Sequence, residues 1–172
     1  MAGRYNWDNI TLIGMPACGK STVGVLLAKR LGYEFIDGDI LIQNKEKRLL
    51  KTIIEQEGLE GFMRIENAVN ANILAHHAVI APGGSVIYGG EAMEHLKSIG
   101  TIVYLSMEYE DMEHRLGNLK DRGVVLRDGM TLRQMYDERA ALYAQWADIT
   151  INCTGVQFGR IVDELRMMAE WG

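Results

Sequence analysis

A glycine-rich octapeptide near the start of the chain constrains the fold more than any other feature. It reads Gly14-Met15-Pro16-Ala17-Cys18-Gly19-Lys20-Ser21, and it matches the phosphate-binding pattern G-x-x-x-x-G-K-[ST]. Apolar residues at positions 10, 12 and 13 precede it and predict a short buried strand, and Val23, Leu26, Leu27 and Leu31 follow it at helical spacing. Because this motif works only between a strand and a helix, the chain is predicted to be an α/β protein.

The residue types in this loop suit a nucleotide triphosphate. Gly14 and Gly19 let the backbone curl so that successive N–H groups point at phosphate oxygens, and the helix that follows adds its positive end. Lys20 can reach the β- and γ-phosphates, and the Ser21 hydroxyl can bind Mg²⁺. The predicted nucleotide-binding residues of the loop are Gly14, Pro16, Ala17, Cys18, Gly19, Lys20, Ser21 and Thr22.

Length and composition indicate one soluble globular domain. The chain has 172 residues, of which 48% are hydrophobic and 24% charged. The net charge of −5 without a basic tract argues against a nucleic-acid partner. No apolar run approaches the ~20 residues of a membrane span, and the first nine residues hold no signal-peptide core. We therefore expect a cytoplasmic monomer that spans residues 1–172 as a single domain, with no membrane partner.

A second chemical signal is the acidic pair in Asp37-Gly38-Asp39, which follows a predicted strand at residues 33–36. At the carboxyl end of a parallel strand, one carboxylate can hold a Mg²⁺-bound water. The other can bind a substrate hydroxyl and take its proton during attack on the γ-phosphate. The alternative interpretation is a polar turn in which aspartate caps a helix.

The next segment predicts a lobe inserted between strands two and three. Residues 40–75 read as helical in three pieces, broken around Leu49 and Gly58. This length is unusual for a plain crossover, and we assign residues 38–75 to acceptor binding. Arg64 and Glu66 in this segment are interpreted, without further context, as solvated surface charges.

The third predicted strand, at residues 78–81, runs into Pro82-Gly83-Gly84-Ser85. A glycine pair directly after a strand suggests that the backbone approaches a ligand closely, although an ordinary loop would have the same sequence.

The second half of the chain predicts a helix at 89–99, strands at 101–105 and 148–152, and a helix at 108–116. Residues 115–130 read as a lid from which Arg115 and Arg122 could close over the phosphates; a solvated loop is the alternative. Thr131 and Gln134 form a capping-box pattern at the start of a helix whose inward stripe includes Arg139. An inward arginine could snorkel, pair with a core acid, or bind an anion in a cleft.

Taken together, these segments resemble the shikimate kinases over the length of the chain. The matching stretches are G-M-P-A-C-G-K-S-T, F-I-D-G-D, G-L-E-G-F-M-R-I-E, P-G-G-S, R-L-G-N-L-K-D-R-G, R-A-A-L-Y and A-D-I-T-I. The resemblance implies a three-layer P-loop kinase fold, with a five-stranded parallel sheet of order 2-3-1-4-5 and helices on both faces. It also implies ATP- and Mg²⁺-dependent phosphorylation of a hydroxyl on a small carboxylate ring, as in aromatic amino acid biosynthesis.

The resemblance implies a role for each matching residue. Asp39 would contact the acceptor hydroxyls, Gly83 and Gly84 would line the acceptor pocket, and Arg139 would bind the acceptor carboxylate. Asp37 would belong to the Mg²⁺ shell beside Ser21. Arg122 would be the lid arginine that acts with Lys20 and Asp39 in catalysis, and residues 153–155 would border the adenine.

Three positions depart from the family pattern. The family has F-R-R-x-E, and its first arginine helps to bind the shikimate carboxylate; here that position is Met63. Arg64 remains a candidate acceptor-binding residue, but it lies about 100° further around the helix and cannot simply replace that arginine. Ser85 replaces a third glycine, and Gly123 replaces a proline after Arg122.

These departures leave alternatives open. One is a related kinase with a different small hydroxylated acceptor. Another is a nucleotide-binding regulatory module without turnover, although the presence of Lys20, Ser21, Asp37, Asp39 and Arg122 speaks against it. The acidic pair also resembles that of gluconate kinases, but the later motifs fit shikimate kinases better.

Overall fold

The computed structural model describes residues 4–117, 124 and 126–172. The strands are β1 Asn9–Ile13, β2 Glu34–Asp37, β3 Ala78–Ala81, β4 Thr101–Ser106 and β5 Ile149–Asn152. The helices are α1 Lys20–Leu31, α2 Gly38–Glu46, α3 Leu50–Ala71, α4 Gly90–Ile99, α5 Tyr109–Leu116, α6 Leu132–Trp146 and α7 Phe158–Trp171, and a short 3₁₀ turn covers Val86–Tyr88.

The five strands form one parallel sheet in the order β2-β3-β1-β4-β5. This confirms the predicted order. The central strand β1 is buried along its whole length, and Ile10 pairs with Val79 on one side and Thr101 on the other. Because the strands are parallel, the P-loop after β1, the acidic pair at β2 and the glycine pair after β3 all lie at the same edge of the sheet.

Four of the predicted strand ends were off by one residue. β2 begins at Glu34 rather than at residue 33 and includes Asp37, β4 extends to Ser106, and β5 begins at Ile149. Hydrogen-bonded pairing with the neighbouring strand sets these ends: Asp37 lies opposite Ala81, and Ser106 lies opposite Asn152. Sequence patterns do not carry that information.

The segment between β2 and β3 is helical in three pieces, as predicted, but its bounds differ. α2 begins at Gly38 and α3 ends at Ala71 rather than near residue 75. Gly58 breaks α3 with φ 70° and ψ 177°, a left-handed conformation that glycine adopts without strain. A small hydrophobic cluster, separate from the main core, holds this segment together through Ile42, Ile53, Phe62 and Val69.

The helices around the sheet follow the predicted faces with one exception. Thr131 and Gln134 form the predicted capping box at the start of α6. In α1 the buried residues are Val23, Gly24, Leu27 and Ala28, so Leu26 points outward and is 41% exposed. Within the described residues, no helix combines the length and the apolar character needed to cross a membrane.

Candidate active site

The P-loop has the curled backbone that the sequence predicted, and the Lys20 side chain folds back over it. Gly19 caps α1 with φ 101°, and a Cβ at this position would lie 2.4 Å from the Phe158 ring, so glycine is required. Lys20 Nζ donates hydrogen bonds to the carbonyl oxygens of Gly14 and Met15, both at 2.9 Å. These carbonyls keep the ammonium group beside the loop, where phosphate oxygens can replace them as partners.

A cavity of about 1030 Å³ opens in front of this loop. Six of the predicted nucleotide-binding residues line it, namely Pro16, Ala17, Gly19, Lys20, Ser21 and Thr22. Gly14 and Cys18 do not line it. The Cys18 side chain is fully buried and lies under Gly14, so this residue can offer only its backbone to a nucleotide.

The same cavity brings the predicted acceptor residues to the P-loop. Asp37, Asp39, Gly83, Gly84 and Arg139 all line it. They come from β2, α2, the turn after β3, and α6, so four separate segments of the chain converge on one volume.

Asp37 caps α2, as one of the two interpretations of the sequence predicts, and it also lines the cavity. Its Oδ1 caps α2 by accepting hydrogen bonds from Asp39 N at 2.9 Å and from Ile40 N at 3.1 Å. No hydrogen bond to Oδ2 occurs within the described residues, so Oδ2 remains available to a ligand in the cavity that Ser21 also lines. The capping bonds fix the carboxylate rather than remove it from the site.

Asp39 has the character of a base. Burial raises the pKa of its carboxyl group, the charge of Asp37 raises it further, and Lys20 acts in the opposite direction. A raised pKa makes the carboxylate a better proton acceptor near neutral pH. A Cβ added to Gly83 would lie 3.0 Å from Asp39 Oδ1, which shows how closely this carboxylate approaches the glycine turn.

The interpretation of Glu66 as a solvated surface charge was wrong. Glu66 is only 2% exposed, and its Oε1 accepts a hydrogen bond of 2.5 Å from the Ser85 hydroxyl. Its Oε2 has no hydrogen-bond partner within the described residues and would lie 2.7 Å from a Cβ at Gly83. Burial is the main cause that raises the pKa of Glu66 to about 7.

The signal that could have identified Glu66 is its spacing. It lies four residues after Phe62 and three before Val69, which are both buried on α3, so it belongs to the inward face of that helix. A charged residue on an inward face needs a partner or a function.

Arg139 is buried without an acidic partner. It is 6% exposed, no carboxylate of the described residues lies within 4 Å, and its Nε has no hydrogen-bond partner among them. Its guanidinium group lies 5.7 Å from the Tyr88 ring centroid, and both Nη1 and the Tyr143 hydroxyl lie within 3.3 Å of where a Gly84 Cβ would be. Of the three predicted alternatives, binding of an anion in the cleft is the one that this geometry fits.

The remaining predicted arginines differ in position. Arg64 is exposed and does not line the main cavity; it lines a neighbouring recess, whereas Met63 lines both. Arg115 Nη1 donates to Ala17 O at 3.5 Å, and the guanidinium carbon of Arg115 lies 5.9 Å from the Phe158 ring centroid. Arg115 therefore lies beside the P-loop but does not line the cavity. Arg122, with the rest of residues 118–123 and residue 125 of the predicted lid at residues 115–130, lies outside the described residues.

Comparison with known proteins agrees with this arrangement. The family model described as "Shikimate kinase" matches residues 16–169. The shikimate kinase of Persephonella marina is 32% identical over 158 residues, which cover 91% of this chain and 96% of that protein. The shikimate kinase of Francisella tularensis subsp. novicida is 37% identical over 161 residues, which cover 91% and 92%. The chain belongs to the shikimate kinase family.

Solved structures support the same assignment. Shikimate kinase from Acinetobacter baumannii in complex with shikimate superposes with a TM-score of 0.80 at 30% identity, over 92% of this chain and 90% of that one. Shikimate kinase from Aquifex aeolicus gives 0.79 at 30% identity, over 94% and 96%. A gluconokinase from Sinorhizobium meliloti, at 17% identity and a TM-score of 0.55, shares the fold alone. This family member is thus a small-molecule kinase with the P-loop fold that its sequence predicted.

Proposed function

We propose that this kinase transfers the γ-phosphoryl group of ATP to a hydroxyl of shikimate. The observation that carries the proposal is that Arg139 is buried, with no acidic partner among the described residues, in the cavity that also holds Lys20 and Asp39. A guanidinium group in this position suits a carboxylate, which it can bind through two parallel hydrogen bonds.

The positions of the charged groups indicate how the acceptor is oriented in the cavity. Binding of its carboxylate at Arg139, on α6, would leave its hydroxyls near Asp39 and the Gly83-Gly84 turn. Asp39 then accepts the proton of the attacking hydroxyl through a side-chain oxygen. The new oxygen–phosphorus bond forms as the bond from the γ-phosphorus to its bridging oxygen breaks, and ADP leaves with that oxygen.

The P-loop supplies the other half of the site. Lys20 Nζ exchanges the carbonyls of Gly14 and Met15 for phosphate oxygens and offsets the charge that develops there. We assign Mg²⁺ to the Ser21 hydroxyl and Asp37 Oδ2, directly or through water. These oxygen donors fit an ion that binds few protein groups and keeps several waters. When bound, Mg²⁺ would neutralise negative charge on the β- and γ-phosphates.

We assign the adenine to the side of the P-loop where Arg115 lies over Phe158, and Arg122 to the closing lid.

A single 1–172 domain that acts as a cytoplasmic monomer also remains a prediction from the sequence.

The test is a coupled assay of ADP release from MgATP with and without shikimate. We expect shikimate-dependent turnover that EDTA abolishes and that a Lys20→Met variant lacks. If ATP binds normally but shikimate gives no stimulation in the wild type, the acceptor assignment is wrong.

One observation favours a second candidate, a different small hydroxylated acid as acceptor. Met63 lines the cavity where the resemblance implies an arginine, so among the described lining residues α3 supplies no guanidinium group to the pocket. A panel of hydroxylated carboxylates, compared by thermal shift in the presence of ADP and Mg²⁺, separates the candidates. Shikimate should give the largest shift if the main proposal is correct.

A further inference from the structure

The carboxyl group of Glu66 is the most unusual group that the proposed mechanism does not use. Ser85 satisfies Oε1, but Oε2 has no partner within the described residues and approaches the Gly83 turn of the acceptor cavity. The residue is 2% exposed and lines that cavity. The carboxyl group therefore lies in the wall of the cavity in which an acceptor would lie.

The groups around Glu66 do not include a close cation. Lys20 on α1, Asp39 on α2 and Arg139 on α6 influence it through space, but no ammonium or guanidinium group of the described residues lies within 4 Å of its carboxylate. Asp39 is the acid whose charge acts on Glu66. Asp39 Oδ1 and Glu66 Oε2 would both lie within 3.0 Å of a Cβ added to Gly83. Two carboxyl groups that share a dry site cannot easily both be ionised.

Position 63 explains why the carboxyl group is left without a cation. Met63 lies three residues before Glu66 on α3, so their side chains are neighbours on one face of the helix. Both line the cavity. A methionine cannot pair with a carboxylate, and Arg64 is exposed on another side of the helix.

We propose that Glu66 contacts the acceptor in its protonated form, so that binding of the anionic acceptor takes up one proton from solvent at Oε2. This inference rests on the proposed function and names a specificity-determining residue of the same site. The neutral carboxyl group can donate a hydrogen bond to a carboxylate or hydroxyl oxygen of the acceptor. The ionised group would instead repel the acceptor's carboxylate and offset the charge of Arg139.

The ionisation of Glu66 falls in a range where this exchange can be measured. Its raised pKa of about 7 leaves a substantial fraction of both forms near neutral pH, while a free shikimate carboxylate is fully ionised there. Uptake of a proton links affinity to pH. We expect the Kd for shikimate to weaken up to about tenfold between pH 6 and pH 8, since only the protonated form binds well.

The experiment is calorimetric titration of the full chain with shikimate in the presence of MgADP. Titrations at pH 7.5 in phosphate and in Tris, whose ionisation enthalpies differ, give the number of protons taken up. We expect roughly half to three quarters of a proton in the wild type, because most of Glu66 is ionised at this pH. Wild-type turnover of shikimate is measured on the same preparation.

Two variants and two matched controls assign the proton. Glu66→Gln is permanently neutral and should bind with no proton uptake and a Kd that is flat between pH 6 and pH 8. Met63→Arg places a cation beside Glu66 and should also abolish uptake, while tightening binding most at pH 8. The exposed Glu60→Gln on the same helix and Met63→Leu should keep the wild-type uptake. Thermal melting checks that each variant is folded.

The outcomes are separable. Normal turnover of shikimate with less than a twofold change in Kd, and with no proton uptake, would overturn this inference and leave the proposed function intact. Uptake that persists in folded Glu66→Gln would place the proton on another group and would also overturn it. Failure of the wild type to bind or phosphorylate shikimate at any pH would refute the proposed function and this inference with it.

Discussion

Replacement of Arg139 by glutamine tests the centre of the proposed site. The change removes a charge and keeps a polar head group, but it also shortens the side chain. In the proposed complex Arg139 donates two hydrogen bonds to the acceptor carboxylate, and hydrogen bonds to charged groups contribute about 1.5–3 kcal/mol each. Glutamine can retain one weaker bond, so we expect a loss of about 3 kcal/mol, or roughly a hundredfold increase in the KM for shikimate.

The same substitution should hardly change stability, and this separates a binding role from a structural one. Arg139 carries a buried charge with no carboxylate of the described residues within 4 Å, so its removal relieves a desolvation cost. The lost stacking on Tyr88, at 5.7 Å, offsets this by about 0.5–2 kcal/mol. We expect the free energy of unfolding to change by no more than about 1 kcal/mol, which is a Tm shift within about 4 °C.

Steady-state kinetics with both substrates and a thermal melt make the measurement. The KM for ATP should stay within about twofold, since Arg139 lies on the acceptor side of the cavity. Arg133→Gln is the matched control, because Arg133 lies on the same helix, is 56% exposed and pairs with Asp137 on the surface. A KM for shikimate within threefold of the wild type, together with a large fall in Tm, would refute the assignment and make Arg139 a structural residue.

Two further predictions concern groups around this arginine. Tyr143→Phe removes the hydroxyl that donates to Gly84 O from a fully buried position. We expect thermal unfolding to show a loss of about 1–3 kcal/mol and kinetics to show a raised KM for shikimate; an unchanged Tm would contradict this. For Glu66, a folded pKa of about 7 against an ordinary 4.5 means that its stabilising contribution is present below pH 4.5 and is lost as the pH rises through 7. At about 1.4 kcal/mol per pKa unit, the loss is about 3 kcal/mol. In urea unfolding, the free energy of unfolding of Glu66→Gln minus that of the wild type should therefore rise by this amount from pH 4 to pH 8. A difference that does not change with pH would contradict the prediction.

The sequence was sufficient where the signal is local. The strand, the P-loop and the helix that begins at Lys20 follow from residue types within a short stretch. Asp39 and Gly83 could be placed because parallel strands end at one edge, and Arg139 could be placed on the inward face of its helix. The kink at Gly58 was also predictable, since few residues other than glycine adopt φ 70°.

It was insufficient where distant segments decide the environment. The spacing of Glu66 indicates the inward face of α3, but its partner Ser85 comes from the turn after β3, and no window of sequence shows that contact. Likewise, Arg139 has no acidic partner among the described residues because of the segments that surround α6 in space, which a sequence window does not show. Asp37 shows that the capping interpretation, which is confirmed, does not exclude the other, since one carboxylate oxygen caps α2 while the other remains available.

The charges of the acceptor cavity explain how the chain can lack the usual arginine at position 63. An arginine there would add one positive charge beside Glu66; Met63 adds none, and a proton on Glu66 removes one negative charge instead. The net charge that faces the acceptor is therefore the same in both arrangements below the pKa of Glu66, and it differs only above it. Buried sites respond to the sum of nearby charges. For this reason we expect that the cost of the substitution at position 63 appears mainly as a loss of acceptor affinity at alkaline pH, while the roles of Lys20, Asp39 and Arg139 do not depend on the residue at that position.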